Sequence, residues 1–383
     1  MKINYKLGFA LTVLAVALTG CANKGIKVEE VKPNPLPKLT SQAKSLAPVF
    51  SFNVASTSDA DPLRLRLAVD KGVVFAVNPN GEVTALQGKQ KLWTAKVSKT
   101  GLSAGIEAAE GMVIVGNQKG QIFALDQKTG EQKWTAQLTG AVLAKSLIQA
   151  SRVVTLSNDG VVYAHNLATG QQAWTYKLPN VQFSLRGTAA PVALDPRTVL
   201  ISSANAYVYA LDTLTGMPRF QRRVALSDGR SDVQKLNDID GEPTVAGQFL
   251  VTTSYQGQVT AMDLATQRVM WSEDASSIQR PEVVGNGVFV AQSNGKLTAY
   301  EISSGQKLWE NEQLLNRKLS NPVYFGGDLV VGDLDGMLHL LNPATGELIG
   351  RSKTSGAVRT LMVKDNQLYV STQKGAYTIW QQR

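Results

Sequence analysis

The stretch Gly120-Gln121-Ile122-Phe123-Ala124-Leu125-Asp126-Gln127-Lys128-Thr129-Gly130-Glu131-Gln132-Lys133-Trp134 recurs along the chain. Gly160 to Trp174, Gly257 to Trp271 and Gly295 to Trp309 repeat it with the same 14-residue separation of Gly and Trp. Another copy, Ala206 to Phe220, keeps Asp212, Thr215 and Gly216. Degenerate copies start at Gly81, where a shortened turn ends at Trp93, and at Gly336, which keeps Asn342, Thr345 and Gly346 without a Trp. The eighth runs from Gly375 to Trp380.

These anchors, at positions 81, 120, 160, 206, 257, 295, 336 and 375, are separated by 39, 40, 46, 51, 38, 41 and 39 residues. Periods near 40 with β-type alternation are the mark of four-stranded propeller blades. Helical periodicity is absent over any comparable stretch. Around Gly120 the runs 112–115 and 122–125 predict a hairpin, the run after Trp134 an outer strand, and Ala141 to Leu147 the next inner strand. The expected fold is all-β: an eight-bladed propeller with four-stranded antiparallel blades. The last copy lacks an outer strand, and Pro48 to Val54 has the character of one, so the two ends of the chain are expected to pair and close the ring.

Each repeated residue has a physical task. Asp126 and its equivalents (Asn166, Asp212, Asp263, Glu301 and Asn342) open a turn by accepting from backbone amides two or three residues on. Thr129 backs that turn, and Gly130 supplies the positive φ that ends it. Trp93, Trp134, Trp174, Trp271 and Trp309 occupy one repeat position, so they read as staples docked between blades, each burying on the order of 200 Å². That shared position argues against their forming a sugar-binding platform.

Composition narrows the function. The 383 residues are 43% hydrophobic and 18% charged, which describes a folded chain and not a disordered one. One cysteine excludes a disulfide framework and a CxxC pair, and two histidines argue against a His-rich metal site. His165 replaces an apolar repeat residue and His339 lies three residues after its anchor; neither has a second ligand at metal spacing, so packing or solvent exposure is expected for both. Arg219, Arg222 and Arg223 with Asp228, Arg230 and Asp232 form a mixed-sign cluster that reads as a solvated surface.

The N-terminus carries Lys2 and Lys6, an apolar run from Leu7 to Leu18, and then Leu18-Thr19-Gly20-Cys21. This is an export signal layout, and the run is short for a membrane span of about 20 residues. The small residues before Cys21 match a bacterial lipobox, which makes Cys21 the expected lipidation site; a buried cysteine beside an ordinary cleavage site is the alternative. Removal of residues 1–20 takes away two lysines and no acids, lowering the net charge from +9 to +7. Outside the cytoplasm that charge loses its nucleic-acid meaning. The organisation expected is a signal peptide over 1–20, a Pro-containing tether over 21–47 and a propeller over 48–383.

The Ala-Leu-Asp-x-x-Thr-Gly-x-x-x-Trp repeat resembles the docking motif of quinoprotein dehydrogenases, eight-bladed propellers that carry pyrroloquinoline quinone. That resemblance would imply a vicinal cysteine pair and acidic calcium ligands, yet the only thiol is Cys21, so the scaffold is present without the cofactor equipment and neither cofactor nor metal is expected. Lipobox, tether and ring together resemble the BamB family, lipoproteins of the outer-membrane β-barrel assembly machinery. Ala22 after the cysteine, in place of Asp, resembles an outer-membrane address. Two loops sharpen this: Phe183-Ser184-Leu185-Arg186-Gly187 resembles the family's Ser-Leu-Arg-Gly loop, and Asp238-Ile239-Asp240 ahead of Pro243 its Asp-x-Asp loop. Phe183 stands where an apolar Leu is usual.

The resemblance implies a non-enzymatic scaffold on the periplasmic face of the outer membrane. Its partners would be the POTRA region of BamA, bound through Phe183, Leu185, Arg186, Asp238 and Asp240, and unfolded outer-membrane proteins as clients. Independently, the anchor spacings of 46 and 51 mark insertions containing these same loops, on consecutive blades. Apolar anchors beside an Arg and two Asp suit a binding hot spot. The internal alternative is that Leu185 packs under its own blade and Arg186 pairs with an Asp. A quinoprotein-like dehydrogenase and a cell-wall glycan-binding propeller are the rival functions.

Overall fold

The computed structural model describes residues 31–39, 44–54, 67–179, 189–224, 239, 241–255 and 257–383. Two compact units are distinguished, Met1–Lys32 and Pro33–Arg383, and the fold below is that of the second. Its strands form eight four-stranded antiparallel sheets, one per repeat. Blade 2 is typical: Glu107–Ala109 innermost, then Met112–Gly116, Gln121–Asp126 and the outer Gln132–Gln137. The other inner strands are Ala68–Asp70, Leu147–Gln149, Val192–Asp195, Thr244–Ala246, Glu282–Val284, Val323–Phe325 and Val358–Lys364. The expected eight-bladed β-propeller is the fold found.

The core is divided among the seams between blades. Eight clusters of buried apolar side chains are formed, each drawing on two neighbouring blades. The second strand of blade 2, Met112–Gly116, is buried along its whole length. Its Val113 and Val115 face blade 1 while Ile114 faces blade 3, so period-2 alternation feeds two seams from one strand.

Two expectations need correction. The run after Trp134 is not a separate outer strand, since Trp134 itself lies within Gln132–Gln137. Pairing resumes directly after the Gly130 turn, Leu125 opposite Gln132 and Ala124 opposite Trp134, with a bulge absorbing the extra residue. Nor is Ala141 to Leu147 an inner strand: blade 3 begins at Leu147, in Leu147–Gln149, and 141–146 is connection.

The ring closes through the ends of the chain. Leu46–Asn53 is the outer strand of blade 8 and pairs antiparallel with Ala376–Gln382, Phe52 opposite Tyr377 and Pro48 opposite Trp380. The Val54 amide donates to Gly375 O at 2.8 Å, one residue beyond the ladder. Phe52 also stacks on Tyr377 with ring centroids 5.3 Å apart. No outer edge of blade 8 is left open, as the sequence reading required.

Candidate interaction face

The repeat turns have the geometry their residues dictate. Asp126 Oδ1 accepts from the amides of Lys128 and Thr129, both at 2.9 Å, and from Thr129 Oγ1 at 3.1 Å. The Thr129 amide is the main reason this carboxyl sits below the usual carboxylate range. In blade 4 the Arg219 guanidinium, 2.8 Å from Asp212, is the first cause of a stronger depression there. Arg219 is thus part of a blade turn, while Arg222 and Arg223 are exposed. Asp228, Arg230 and Asp232 lie outside the described residues.

The five staple tryptophans all reach the next blade. Their indole N–H groups donate to carbonyls of Gln127, Leu167, Thr213, Ile302 and Pro343, at 2.7 to 3.1 Å. Each ring lies on the turn glycine of that blade: a Cβ on Gly130 would come within 2.5 Å of Trp93, and one on Gly170 within 2.6 Å of Trp134. The glycine therefore serves two purposes at once, a φ of 73° at Gly130 and a bare surface for the indole. Each indole thus has its ring set against the turn of the neighbouring blade.

At one end of the axis the starts of the inner strands enclose a cavity of about 150 Å³, lined among others by Ile106, Lys145, Glu242, Arg280, Asn321 and Thr360. Lys145 Nζ pairs with Glu107 at 3.1 Å, and burial still pushes the Glu107 carboxyl above its ordinary value. Burial likewise raises Glu282, which accepts from the Tyr324 amide at 3.1 Å. Arg280 Nε donates to Thr244 Oγ1 at 3.1 Å. The mouth is thus a ring of held charges with apolar walls, an arrangement that can recognise a polar partner.

Connections from outer to inner strands converge on this end. The longest, 224–243, joins blades 4 and 5, and 178–191, equalled in length by 54–67, joins blades 3 and 4; these two contain the sequence-predicted interface. They leave at equivalent points, since the amides of Leu178 and Val224 donate to the anchor carbonyls Gly160 and Ala206, both at 2.9 Å. Phe183, Leu185, Arg186, Asp238 and Asp240 themselves lie outside the described residues, as does Cys21. Their described neighbours are firmly held. Asn205 Nδ2 donates to Pro179 O at 3.1 Å, and Ala189 and Ala190 are buried. Ile239 is 1% exposed in the core cluster of blades 4 and 5. Gly241 abuts Thr253 and Gln279 so closely that no Cβ would fit, and Glu242 then enters the axial cavity.

Sequence reasoning passed over two features. His165 is buried and stacks between Trp134 and Tyr163, with centroids 6.2 Å from each, and burial lowers its pKa. His339 is fully buried 2.9 Å from Asp333, which also accepts from Arg317 at 2.8 Å. Packing or solvent exposure was expected of both; both are packed, and the charged partners of His339 come from separate parts of the chain and carry no local signal. Among the described residues no cluster of His, Cys, Asp or Glu suits a metal ion.

Comparison with known proteins agrees with this construction. The family described as "Outer membrane protein assembly factor BamB" matches residues 53–138, 79–311 and 298–381. The assembly factor BamB of Escherichia coli K12 is 30% identical over 371 residues, covering 94% of each chain, and that of Pseudomonas aeruginosa is 33% identical over 379 residues, covering 97% of this chain and 98% of the relative. The crystal structure of BamB from Moraxella catarrhalis superposes with a TM-score of 0.81 at 34% identity, covering 88% of this chain and all of that one. A quinohemoprotein alcohol dehydrogenase from Pseudomonas putida HK5 shares the fold at 12% identity with a TM-score of 0.67. The repeat, the closed ring and these full-length similarities make the chain a member of the BamB family of outer membrane protein assembly factors.

Proposed function

We propose that the chain is a non-enzymatic scaffold of the outer-membrane protein assembly machinery. It is lipid-anchored through Cys21 to the periplasmic face of the outer membrane and docks onto the POTRA region of BamA. Phe183 and Leu185 supply the apolar anchors, Arg186 the multidentate donor, and Asp238 and Asp240 the acceptors. The observation carrying this reading is that the connections 178–191 and 224–243 leave consecutive blades in equivalent register, and that Asp240 is flanked by the buried Ile239 and the closely packed Gly241. A pinned base lowers the ordering cost of binding. Unfolded outer-membrane proteins are the clients this scaffold serves.

Capture of BamA by Leu185→Ala, Arg186→Ala and Asp240→Ala variants with unchanged denaturation midpoints tests the surface. Each variant should retain at least tenfold less BamA than the parent, since losing one such anchor costs about 2 kcal/mol. Undiminished capture by all three sinks the assignment.

A further inference from the structure

Blade 7 lacks the docking tryptophan. Gly350 holds that position, and the N-terminal segment occupies the space instead: Lys44 bridges Gly350 in parallel, with no room for a Cβ beneath it. Upstream, the Asn34 amide donates to Leu315 O at 3.0 Å and its Nδ2 to Glu312 O at 3.3 Å. Lys44 Nζ pairs with Asp328 at 2.7 Å, and the Leu46 amide donates to Ser352 Oγ at 2.8 Å. Residues 33–46 are therefore fastened to this blade at several described points.

Two arginines grip the strap through its backbone. Arg317 Nη1 donates to Asn34 O at 2.8 Å, and Arg351 Nη2 to Pro37 O at 3.0 Å. Behind them lies the buried His339. Its Nε2 is 2.9 Å from Asp333 Oδ2, and its Nδ1 is 3.4 Å from Arg351 Nε. A guanidinium N–H can only donate, so Nδ1 must accept; the nitrogen facing the carboxylate must then carry the proton. The network thus assigns a neutral imidazole. A second proton on Nδ1 would set N–H against N–H and place a third positive charge beside Arg317 and Arg351. Among the described residues, Asp333 and Asp335, both paired with Arg317, oppose those charges.

We propose that this cluster is an acid-sensitive latch: neutral His339 lets Arg351 and Arg317 hold the strap on blade 7, and its protonation turns Arg351 away and releases the strap. Burial is the first cause of a lowered His339 pKa, the two arginines add to it and Asp333 opposes it. The latched state thus binds its proton more weakly than a released, solvated histidine with the ordinary value of 6.5. Latching is complete above that pH and is lost progressively as pH falls below it. One consequence rests on the proposed lipid attachment at Cys21. The chain from Cys21 to Pro33 spans at most about 40 Å, and that from Cys21 to Leu46 about 85 Å, so release would double the reach of the ring from the membrane.

The test is hydrogen exchange by mass spectrometry on the full-length lipidated protein in detergent micelles between pH 7.5 and 4.5, normalised to intrinsic exchange. Neither BamA nor a bilayer is needed, so its outcome is separate from that of the docking experiment. Peptides covering 31–46 should be protected at pH 7.5 and lose at least tenfold of that protection at pH 4.5, while blade 2 keeps its own. The His339→Gln variant retains a donor for Asp333 and an acceptor for Arg351 without titrating, so its strap should stay protected. Strap protection that is absent at pH 7.5, unchanged by acid, or lost equally in His339→Gln overturns the proposal. Should His339→Gln not fold, the wild-type profile decides: loss confined to the strap supports the latch, and loss shared with blade 2 overturns it.

Discussion

Two kinds of seam separate neighbouring blades. Five are locked by an indole lying on the next blade's turn glycine, with its N–H bound to that blade's backbone. The seam between blades 4 and 5 has Phe220 at the staple position, and the facing turn residue is Gln267 at a φ of 56° in place of glycine. The seam between blades 7 and 8 has Gly350 and the strap. A smaller ring releases the facing position from having to be glycine, so both halves of the lock are lost together. Connection residues enter the locked seams as well, Leu102 and Val142 among them, but in these two seams Ile239 of the longest connection and Leu46 of the closure strand pack where the indole is missing. Departures from the repeat thus coincide with the longest connection and with the strap.

The sharpest way to break this comparison is at the eighth seam, between blades 8 and 1, which relies on the closure strand. Phe50, Phe52 and Val54 pack there with Leu67, Val74 and Tyr377. Deleting Leu46–Asn53 removes that packing and bares the edge of Ala376–Gln382. The expected result is loss of the cooperative urea transition for the whole ring, with aggregation through the exposed strand. A variant that keeps a single transition at the parental midpoint would show that closure contributes little.

Substitutions at the staples come next. Trp134→Ala should cost about 3–5 kcal/mol in urea unfolding through lost packing and a remaining cavity. Phe220→Ala should cost about 1–2 kcal/mol, because that ring is only half-buried and Ile239 already fills part of the seam. Equal losses would mean that the two seams are not different in kind. At the facing position Gly130→Ala should cost about 2–3 kcal/mol from positive φ and contact with Trp93. Gln267→Gly should gain about 1 kcal/mol, relieving strain with no indole to disturb.

The locked seams were the legible ones. Gly, Asp, Thr and Gly act within one turn of their neighbours and Trp recurs at a fixed distance after them, so the repeat shows in local spacing, and the period then counts the blades. Blade closure was legible because the last copy lacks a strand that Pro48 to Val54 could supply. The His339 cluster was not. Arg317, Asp333 and Arg351 reach it from a connection, a turn and an outer strand, and the strap carbonyls from about 300 residues away, so only the assembled blade brings them together. Strand limits in 132–149 were misplaced because apolar residues of a connection, Val142 among them, pack into the seam as strand residues do. For the docking loops the insertion lengths were readable, while their five predicted contact residues remain with the proposal.

The smallest effect expected sharpens the locked side of the comparison. His165 sits in the seam of blades 2 and 3 where other repeats have Leu125, Leu211 or Met262, and its Nδ1 is buried without a hydrogen-bond partner. It accepts that cost while stacking on Trp134 and Tyr163. Burial lowers its pKa in the folded protein below the 6.5 of the unfolded chain, so the unfolded state takes up the proton first. Stability from this site is therefore intact above pH 6.5 and declines as pH falls below it. His165→Leu removes both the orphaned nitrogen and the titration. It should gain about 1 kcal/mol at pH 7.5 by urea denaturation, with the gain widening toward pH 5. A gain that does not depend on pH would leave only the orphaned nitrogen as its cause. A net loss would show that the stack under Trp134 outweighs the buried polar atom, and that the lock draws on the imidazole as well as on glycine.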